Sequence, residues 1–445
     1  MRIGIDGYNV AMPHGTGIAT YARNLARCVS ALGHETVGVY GIDVGRDPAI
    51  REFRLYDHFG RHEPLRITKA QRWRNRFGNA TRVDLLEVPQ TGRVDARALA
   101  GRFMPTDHVV SVQDLYNRAY AFFRLTGRFL QVRSPVPIDL MHWTYPIPIH
   151  LAGARNIYTV HDLIPLKLPF ATLDHKADYF SLVKRCIAGG EPVLTVSESS
   201  RRDIVELFGV APDRVVNCYQ AVDFAAEADP AQHAALTEVL RTVHGLEPGS
   251  YFLYFGALEP KKNVGRILSA FIAANLPATL VIVAGRGWQA EAEERAIAAM
   301  AGRTGSGGPR VLRLDYLARD LLTAMIRNAR AVTFPSLYEG FGLPILEAMQ
   351  WGTPVIASTT SSMPEVAGEA ALLVDPYDTA ALTQAMRRLH DDPALRQDLA
   401  DRGREQARQF SMERYAARLE LLYARPGTAM QANPKFTKTL NNTVR

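Results

Sequence analysis

Two glutamates eight positions apart, Glu339 and Glu347, flank a glycine-bearing turn in the stretch FPSLYEGFGLPILEAM, residues 334–349. One short apolar run precedes it and another, PVIA at 354–357, follows it. Pro344 stands where a helix would begin and Gly352 just past its end, so the pattern predicts strand, loop, helix, strand. Glu339 falls in the loop and Glu347 in the helix. Gly340 and Gly342 let the backbone come close to a ligand. The N–H groups of Phe341, Gly342 and Leu343 precede the first intrahelical bond and point outward. A helix start of this kind favours phosphate, whereas carboxylates suit hydroxyls. A sugar joined to a nucleoside diphosphate offers both. Either glutamate alone reads equally well as an acid at a helix start.

Three further groups carry chemistry. Lys261 and Lys262, in GALEPKKN at 256–263, stand between a glycine turn and a helical pattern, a placement suited to a diphosphate. His161, in YTVHDLIPL, closes an apolar run at 156–160, the strand end at which parallel sheets bind ligands. HGTGIATY, at 14–21, places Gly15 and Gly17 between a strand and a helix. The third glycine of a dinucleotide fingerprint is replaced by Thr20, and no acid follows Tyr40 before Asp43. Both departures argue against a nicotinamide oxidoreductase.

These residues need a large scaffold. A chain of 445 residues is too long for one ordinary core and predicts two domains. Hydrophobic content of 47% and charged content of 22% describe an ordinary globular protein. The net charge is +7 with a sequence pI near 9.3, compatible with a phosphorylated ligand, an anionic membrane surface or nucleic acid. Cys28, Cys186 and Cys218 have neither zinc spacing nor disulfide pairing and read as buried thiols in a reducing compartment. No apolar run has the length of a membrane span, and MRIGIDGYNV reads as a strand rather than a leader. The expected location is cytoplasmic, or peripheral at the inner face of the cell membrane. The basic segment 61–82, with Trp73 and Phe77 interleaved, reads as a solvated face or as a patch for anionic lipid or a phosphorylated acceptor. Its composition would also suit single-stranded nucleic acid, but no such motif accompanies it. From about Gly41 to Val136 the pattern is poor. Further on, Ser200 and Asp203 predict a capping box, Asp320 is placed as a helix cap, and Arg201 by itself reads as a surface arginine.

The stretch at 334–349, with GTPVIAS after it, resembles the Glu-x7-Glu signature of glycosyltransferase family four, retaining nucleotide-sugar glycosyltransferases of the GT-B fold. The likeness covers most of the chain from Met1 to about Arg425. It implies an α/β molecule with two facing doubly wound Rossmann-like domains and a cleft between them. Residues 1–225 would form the acceptor-binding domain and 226–410 the linker and donor-binding domain. Residues 411–425 would be a helix crossing back, and 426–445 a disordered tail. By the same resemblance His161, Glu339 and Lys262 are the catalytic residues. His161 would bond the donor sugar near its C6 hydroxyl, Glu339 other sugar hydroxyls, Glu347 the ribose, and Lys262 the leaving diphosphate. Gly15 and Gly17 would face the donor phosphates, and Gly340, Phe341, Gly342 and Leu343 would bring backbone to sugar and phosphate. Arg286 would lie near base or phosphates, Arg201 within reach of the cleft, and Tyr316 and Leu317 against the nucleobase. The family carries a basic residue where this chain has Ala257, so Lys261 or a group of the first domain would have to compensate. It more often has Asn-Gly where Gln220-Ala221 stands, just before Asp223. The resemblance implies retention, by front-face attack since no residue stands out as a covalent nucleophile; with Lys262 to neutralise the diphosphate and no Asp-x-Asp motif near a strand end, no metal or other cofactor is expected. GALEPKKN, VHDLIPL and SLYEGFGLP resemble bacterial O-antigen and exopolysaccharide mannosyltransferases, which gives GDP-mannose as donor and a lipid-linked or glycan acceptor. A UDP-sugar is the alternative donor, and a non-catalytic sugar-nucleotide-binding scaffold the remote alternative.

Overall fold

The computed structural model describes residues 1–12, 17–60, 82–99, 102–189, 191–222, 230–285, 291–301, 310–315 and 317–425. Gly15, Asp223, Arg286, Tyr316, the tail beyond 425 and all of the basic segment except Arg82 lie outside these residues.

Two six-stranded sheets organise the chain. The first contains β1 (Arg2–Asp6), β2 (Glu35–Tyr40), β3 (Leu86–Val88), β4 (His108–Ser111), β5 (Leu140–Trp143) and β6 (Arg155–Tyr158), in the order β3-β4-β2-β1-β5-β6. All its pairings are parallel except that of the edge strand β3 with β4. Ile3 and Ile5 of β1 and Val37 and Val39 of β2 are buried, as both-face coverage by helices requires. A smaller parallel pair, β7 (Val193–Thr195) and β8 (Val215–Asn217), extends this unit through a bridge between Thr159 and Leu194.

The second sheet is wholly parallel: β9 (Tyr251–Phe255), β10 (Thr279–Val283), β11 (Arg310–Leu314), β12 (Ala331–Phe334), β13 (Val355–Ser358) and β14 (Leu372–Val374). Its order, β11-β10-β9-β12-β13-β14, is the doubly wound arrangement that reverses direction between β9 and β12. The first sheet reverses between β1 and β5. Loops leaving the carboxyl ends of those four strands therefore face ligand-binding crevices.

The helices that matter for the site are α1 (Gly17–Ala31), α2 (Leu115–Thr126), α3 (Glu198–Phe208), α4 (Val264–Ala274), α5 (Arg319–Asn328), α6 (Leu343–Met349), α7 (Met363–Ala367) and α8 (Met412–Tyr423). Helix α4 buries Val264, Ile267, Leu268 and Phe271, the face its spacing predicts. Helix α8 packs on the first unit: Tyr415, Leu419 and Leu422 are buried, and the Tyr423 hydroxyl lies 2.8 Å from His142 Nδ1 of β5.

Several local readings need correction. The poorly patterned region from Gly41 to Val136 contains a helix at Pro48–Gly60, the helix α2 and strands of three or four residues, too short for period-two alternation to show. Ser197 caps α3, accepting from Ser200 N at 3.0 Å, while Asp203 takes no part in that cap and instead meets Tyr338 and Lys167. Arg201 does not reach the cleft. Its guanidinium donates to the Val215 carbonyl at 2.9 Å and the Pro212 carbonyl at 3.0 Å, fastening α3 to β8. Asp320 is not a cap either: α5 is preceded by Ala318, and Asp320 accepts from Gln232 Nε2 at 3.3 Å.

Candidate active site

The loops after β9 and β12, adjacent strands at the reversal of the second sheet, meet face to face. Leu337 N donates to the Lys261 carbonyl at 2.7 Å. Asn263, the left-handed residue (φ 63°) before α4, donates through Nδ2 to the carbonyls of Pro335 and Pro376 at 3.0 and 2.7 Å. Asparagine tolerates that backbone conformation better than most side chains. The 3-10 turn Pro260–Lys262 thereby aims both lysines at Glu339.

Lys262 Nζ lies 2.6 Å from Glu339 Oε1, and Lys261 Nζ 3.5 Å from Glu339 Oε2. Lys261 also approaches Glu259 at 3.6 Å, and Lys262 sits 4.8 Å from the centroid of the Phe334 ring. The Glu339 side chain is only 9% exposed. Burial alone would raise its carboxyl, but the two ammonium groups outweigh burial and hold it below the ordinary range. Burial pulls Lys262 down, whereas at Lys261 the carboxylates of Glu339 and Glu259 overcome burial and raise it. The two ammonium groups at the carboxyl end of β9 are matched by two carboxylates, the buried Glu339 and the more exposed Glu259. Lys261 thus supplies a second ammonium in the loop where Ala257 provides none.

The Glu339 loop is held from behind. Glu339 N donates to Ser361 Oγ at 2.9 Å, and Ser362 Oγ donates to the carbonyls of Glu339 and Phe341 at 3.0 and 2.6 Å. These serines follow β13, and sequence reasoning missed them. Their only signal is a run of small polar residues, TTSS, at 359–362. Gly342 precedes α6 at φ 114°, which requires glycine. The N–H groups of Phe341, Gly342 and Leu343 donate to no described residue.

His161 and Asp162, just past β6, form the opposite wall. A Cβ added at Gly340 would meet the His161 carbonyl oxygen at 2.7 Å and Asp162 Cβ at 3.0 Å, so the two units touch here backbone to backbone. Ser200 Oγ bridges the contact, donating to the His161 carbonyl at 2.8 Å and lying 3.4 Å from that of Gly340. His161 Nε2 lies 2.8 Å from the Thr144 carbonyl, which makes Nε2 the protonated nitrogen and Nδ1 an acceptor. Nδ1 is 3.5 Å from Gln220 Nε2, and the ring packs edge-on against Tyr21. Burial pushes the imidazole down to about 4, so it is neutral near pH 7. The Asp162 carboxyl is raised by burial and lowered in turn by Lys261, which places it within electrostatic reach of the lysine loop.

Glu347 lies on α6, partly buried, with no hydrogen bond or ion pair to a described residue. Burial raises it and Arg319 at the start of α5 lowers it. Gly17 begins α1 with open space around its Cβ position, and Leu317 packs against the core of the second unit. The structure therefore gathers His161, Lys261, Lys262, Glu339, Gly340, Phe341, Gly342 and Leu343 at one junction, with Glu347 one helix further along.

Two doubly wound units, each presenting its reversal loops to the other, define a molecule of the GT-B class. Residues 238–406 match the family described as glycosyl transferases group 1, and residues 91–226 match glycosyltransferase family 4. The O-antigen chain mannosyltransferase B of Escherichia coli is 31% identical over 264 residues, spanning 58% of this chain and 67% of that protein. The MMP alpha-(1->4)-mannosyltransferase of Mycolicibacterium hassiacum is 27% identical over 448 residues, spanning 95% of this chain and 98% of that one. Among solved structures, a sucrose-phosphate synthase from Thermosynechococcus elongatus superposes with a TM-score of 0.63 at 18% identity, covering 95% of this chain and 98% of that one. The chain belongs to the group 1 glycosyltransferases.

Proposed function

We propose that this protein transfers mannose from GDP-mannose to a lipid-linked or glycan acceptor during synthesis of cell-surface polysaccharide, retaining the anomeric configuration and needing no metal ion. The observation that carries the reading is the buried Glu339 clamped between Lys261 and Lys262 at the junction with His161. In the free enzyme Glu339 and Glu259 balance the two lysines. A nucleoside diphosphate entering the crevice takes over the ammonium groups, and Glu339 turns to the hydroxyls of the transferring sugar. The N–H groups of Phe341, Gly342 and Leu343 add donors along the same edge. His161, neutral and with Nδ1 as acceptor, receives a hydrogen bond from a sugar hydroxyl rather than moving a proton. Glu347 receives the ribose hydroxyls. Gly15, Arg286 and Tyr316 belong to this donor-binding assignment as well, together with Gly17 and Leu317.

The leaving diphosphate is stabilised by preorganised charge, which in comparable sites is worth ~3–4 kcal/mol per group removed. The acceptor hydroxyl attacks the anomeric carbon on the face from which the diphosphate departs. Its proton passes to the departing phosphate oxygen, so the step balances without an enzyme nucleophile. Among the described residues no helix is long and apolar enough to cross a membrane; the reading places the enzyme in the cytoplasm, peripheral to the membrane that carries its acceptor.

Thermal-shift measurement against GDP- and UDP-sugars tests the donor, because a ligand bound only by the native state raises the melting temperature. Stabilisation by UDP-sugars alone would replace mannose by the alternative donors. NMR of the anomeric proton in the product tests retention. A chain that binds sugar nucleotides but turns none over would be the scaffold.

A further inference from the structure

The carboxyl edge of the first sheet has its own reversal point, between β1 and β5, and the residues leaving those two strands are Tyr8 and Tyr145. The Tyr8 ring lies 4.7 Å from Tyr116 and 6.5 Å from Tyr120, both on α2 one turn apart. The outer hydroxyls of this group differ in their bonding. Those of Tyr116 and Tyr120 donate to the carbonyls of Val39 and Pro146 at 2.6 and 3.0 Å. Those of Tyr8 and Tyr145 bond to no described residue, although both side chains are largely shielded. Asn9, beside Tyr8, is 6% exposed and its Nδ2 has no partner. Burial raises both phenols, and carboxylates raise them further: Asp6 and Asp174 at Tyr8, Asp174 and Asp162 at Tyr145. Asp162 lies against the Glu339 loop, its Oδ2 3.1 Å from where a Cβ of residue 340 would stand, so the aromatic wall borders the candidate reaction centre.

We propose that this wall, with Tyr8, Tyr145, Asp162 and Asp174 at its surface, seats an uncharged sugar ring as the acceptor and discriminates against phosphorylated sugars. Tyrosine rings offer a broad apolar face to the C–H side of a pyranose, together with a polar rim. Free phenol hydroxyls, a buried amide without a partner and carboxylates suit its hydroxyls. A phosphate in the same place would face the carboxylates that raise these phenols. The proposal rests on the glycosyltransferase reading and adds the chemistry of the acceptor to it.

Saturation-transfer NMR on the full chain, with saturating GDP or UDP, tests it. The neutral probes are α-1,3-mannobiose, maltose and lactose; the charged ones are mannose 6-phosphate and glucose 6-phosphate. At least one neutral disaccharide is expected to receive saturation and neither phosphate. Tyr145→Phe, which keeps the ring, and Tyr8→Leu are each expected to weaken the signal about fivefold or more, the equivalent of roughly 1 kcal/mol. A melting temperature of the nucleotide-free variant equal to wild type certifies that each variant is folded. Saturation of the phosphates alone, of no neutral probe, or at wild-type strength in both variants would overturn the wall and leave the transferase reading standing. A wild-type chain that no nucleotide or nucleotide sugar stabilises would overturn both.

Discussion

At the scale of single residues, Glu339 is the most constrained ionisable group of the site. Glu339→Gln removes the carboxylate shared by two lysines and leaves Lys262 buried beside a neutral amide. Transfer is expected to fall about 100- to 1,000-fold, the loss typical of one preorganised polar group, as read by donor turnover under saturating substrate. Retention of more than half the wild-type rate would remove Glu339 from the chemistry. If the lysines carry the leaving-group charge, EDTA should leave the rate unchanged; loss of activity restored by Mg2+ would assign that charge to a metal instead. The histidines make a separate prediction. Burial holds His161 at about 4 and His142 at about 3. Both are therefore depressed from 6.5, and their imidazole NMR signals should not titrate between pH 8 and 5. Unfolded histidine takes a proton near pH 6.5 and the native ring does not, so this contribution to stability is intact above 6.5. It is lost as pH falls to about 4, by roughly 1.4 kcal/mol per unit and per histidine. Asp6, raised by burial to about 6, opposes the loss below that pH because the native carboxyl is then protonated.

At the scale of elements, what could be read in the sequence was local. The strand-loop-helix around Glu339 and the lysine turn before α4 each carry their glycine, proline and charge pattern within about a dozen positions, and both form. The groups that lock them together come from elsewhere in the chain. Ser361 and Ser362 lie beyond the next strand, and nothing in their type marks them as props for a loop 22 residues earlier. Tyr8 and Tyr145 look like ordinary half-buried aromatics until the sheet order puts their strands side by side. Asp203 resembles a helix-cap acid in sequence, but its partner Tyr338 is 135 positions away. The link from α8 to β5 is the longest of these: His142 and Tyr423 are 281 residues apart. His142 Nε2 also lies 3.0 Å from Thr159 Oγ1 and 3.2 Å from the Tyr21 hydroxyl, and Tyr21 packs on His161. Tyr423→Phe would leave a buried ring nitrogen unpartnered. It is expected to destabilise by about 1–3 kcal/mol, seen as a lower urea midpoint with an unchanged slope. A midpoint equal to wild type would mean that the terminal helix is held by apolar contacts alone.

At the scale of the whole molecule, the two units meet among the described residues through a handful of polar contacts, and one has the form of a clasp. The Glu365 carboxylate, from α7 of the second unit, accepts from Glu198 N at 2.9 Å and Ser199 N at 3.0 Å, the first turn of α3 in the other unit. These are N–H groups that the helix cannot satisfy itself, so the partner domain completes the cap only while the units touch. Burial raises the Glu365 carboxyl and the two N–H groups lower it again, the balance of a group that gives up water for contact. A side-chain cap of this kind is worth about 1 kcal/mol, which corresponds to about a fivefold change in the ratio of touching to separated units. Glu365→Ala is therefore expected to enlarge the radius of gyration of the nucleotide-free protein in small-angle scattering and to weaken donor binding by a similar factor. Saturating donor should restore the compact form. Glu365→Gln keeps an acceptor oxygen and should recover part of both effects. If Glu365→Ala lowers the melting temperature but changes neither radius nor donor affinity, the clasp belongs to the stability of the fold and closure is driven elsewhere. The backbone approach of Gly340 to His161 would then be the place to look, since Gly340→Ala puts a methyl group where the two domains have no room for one.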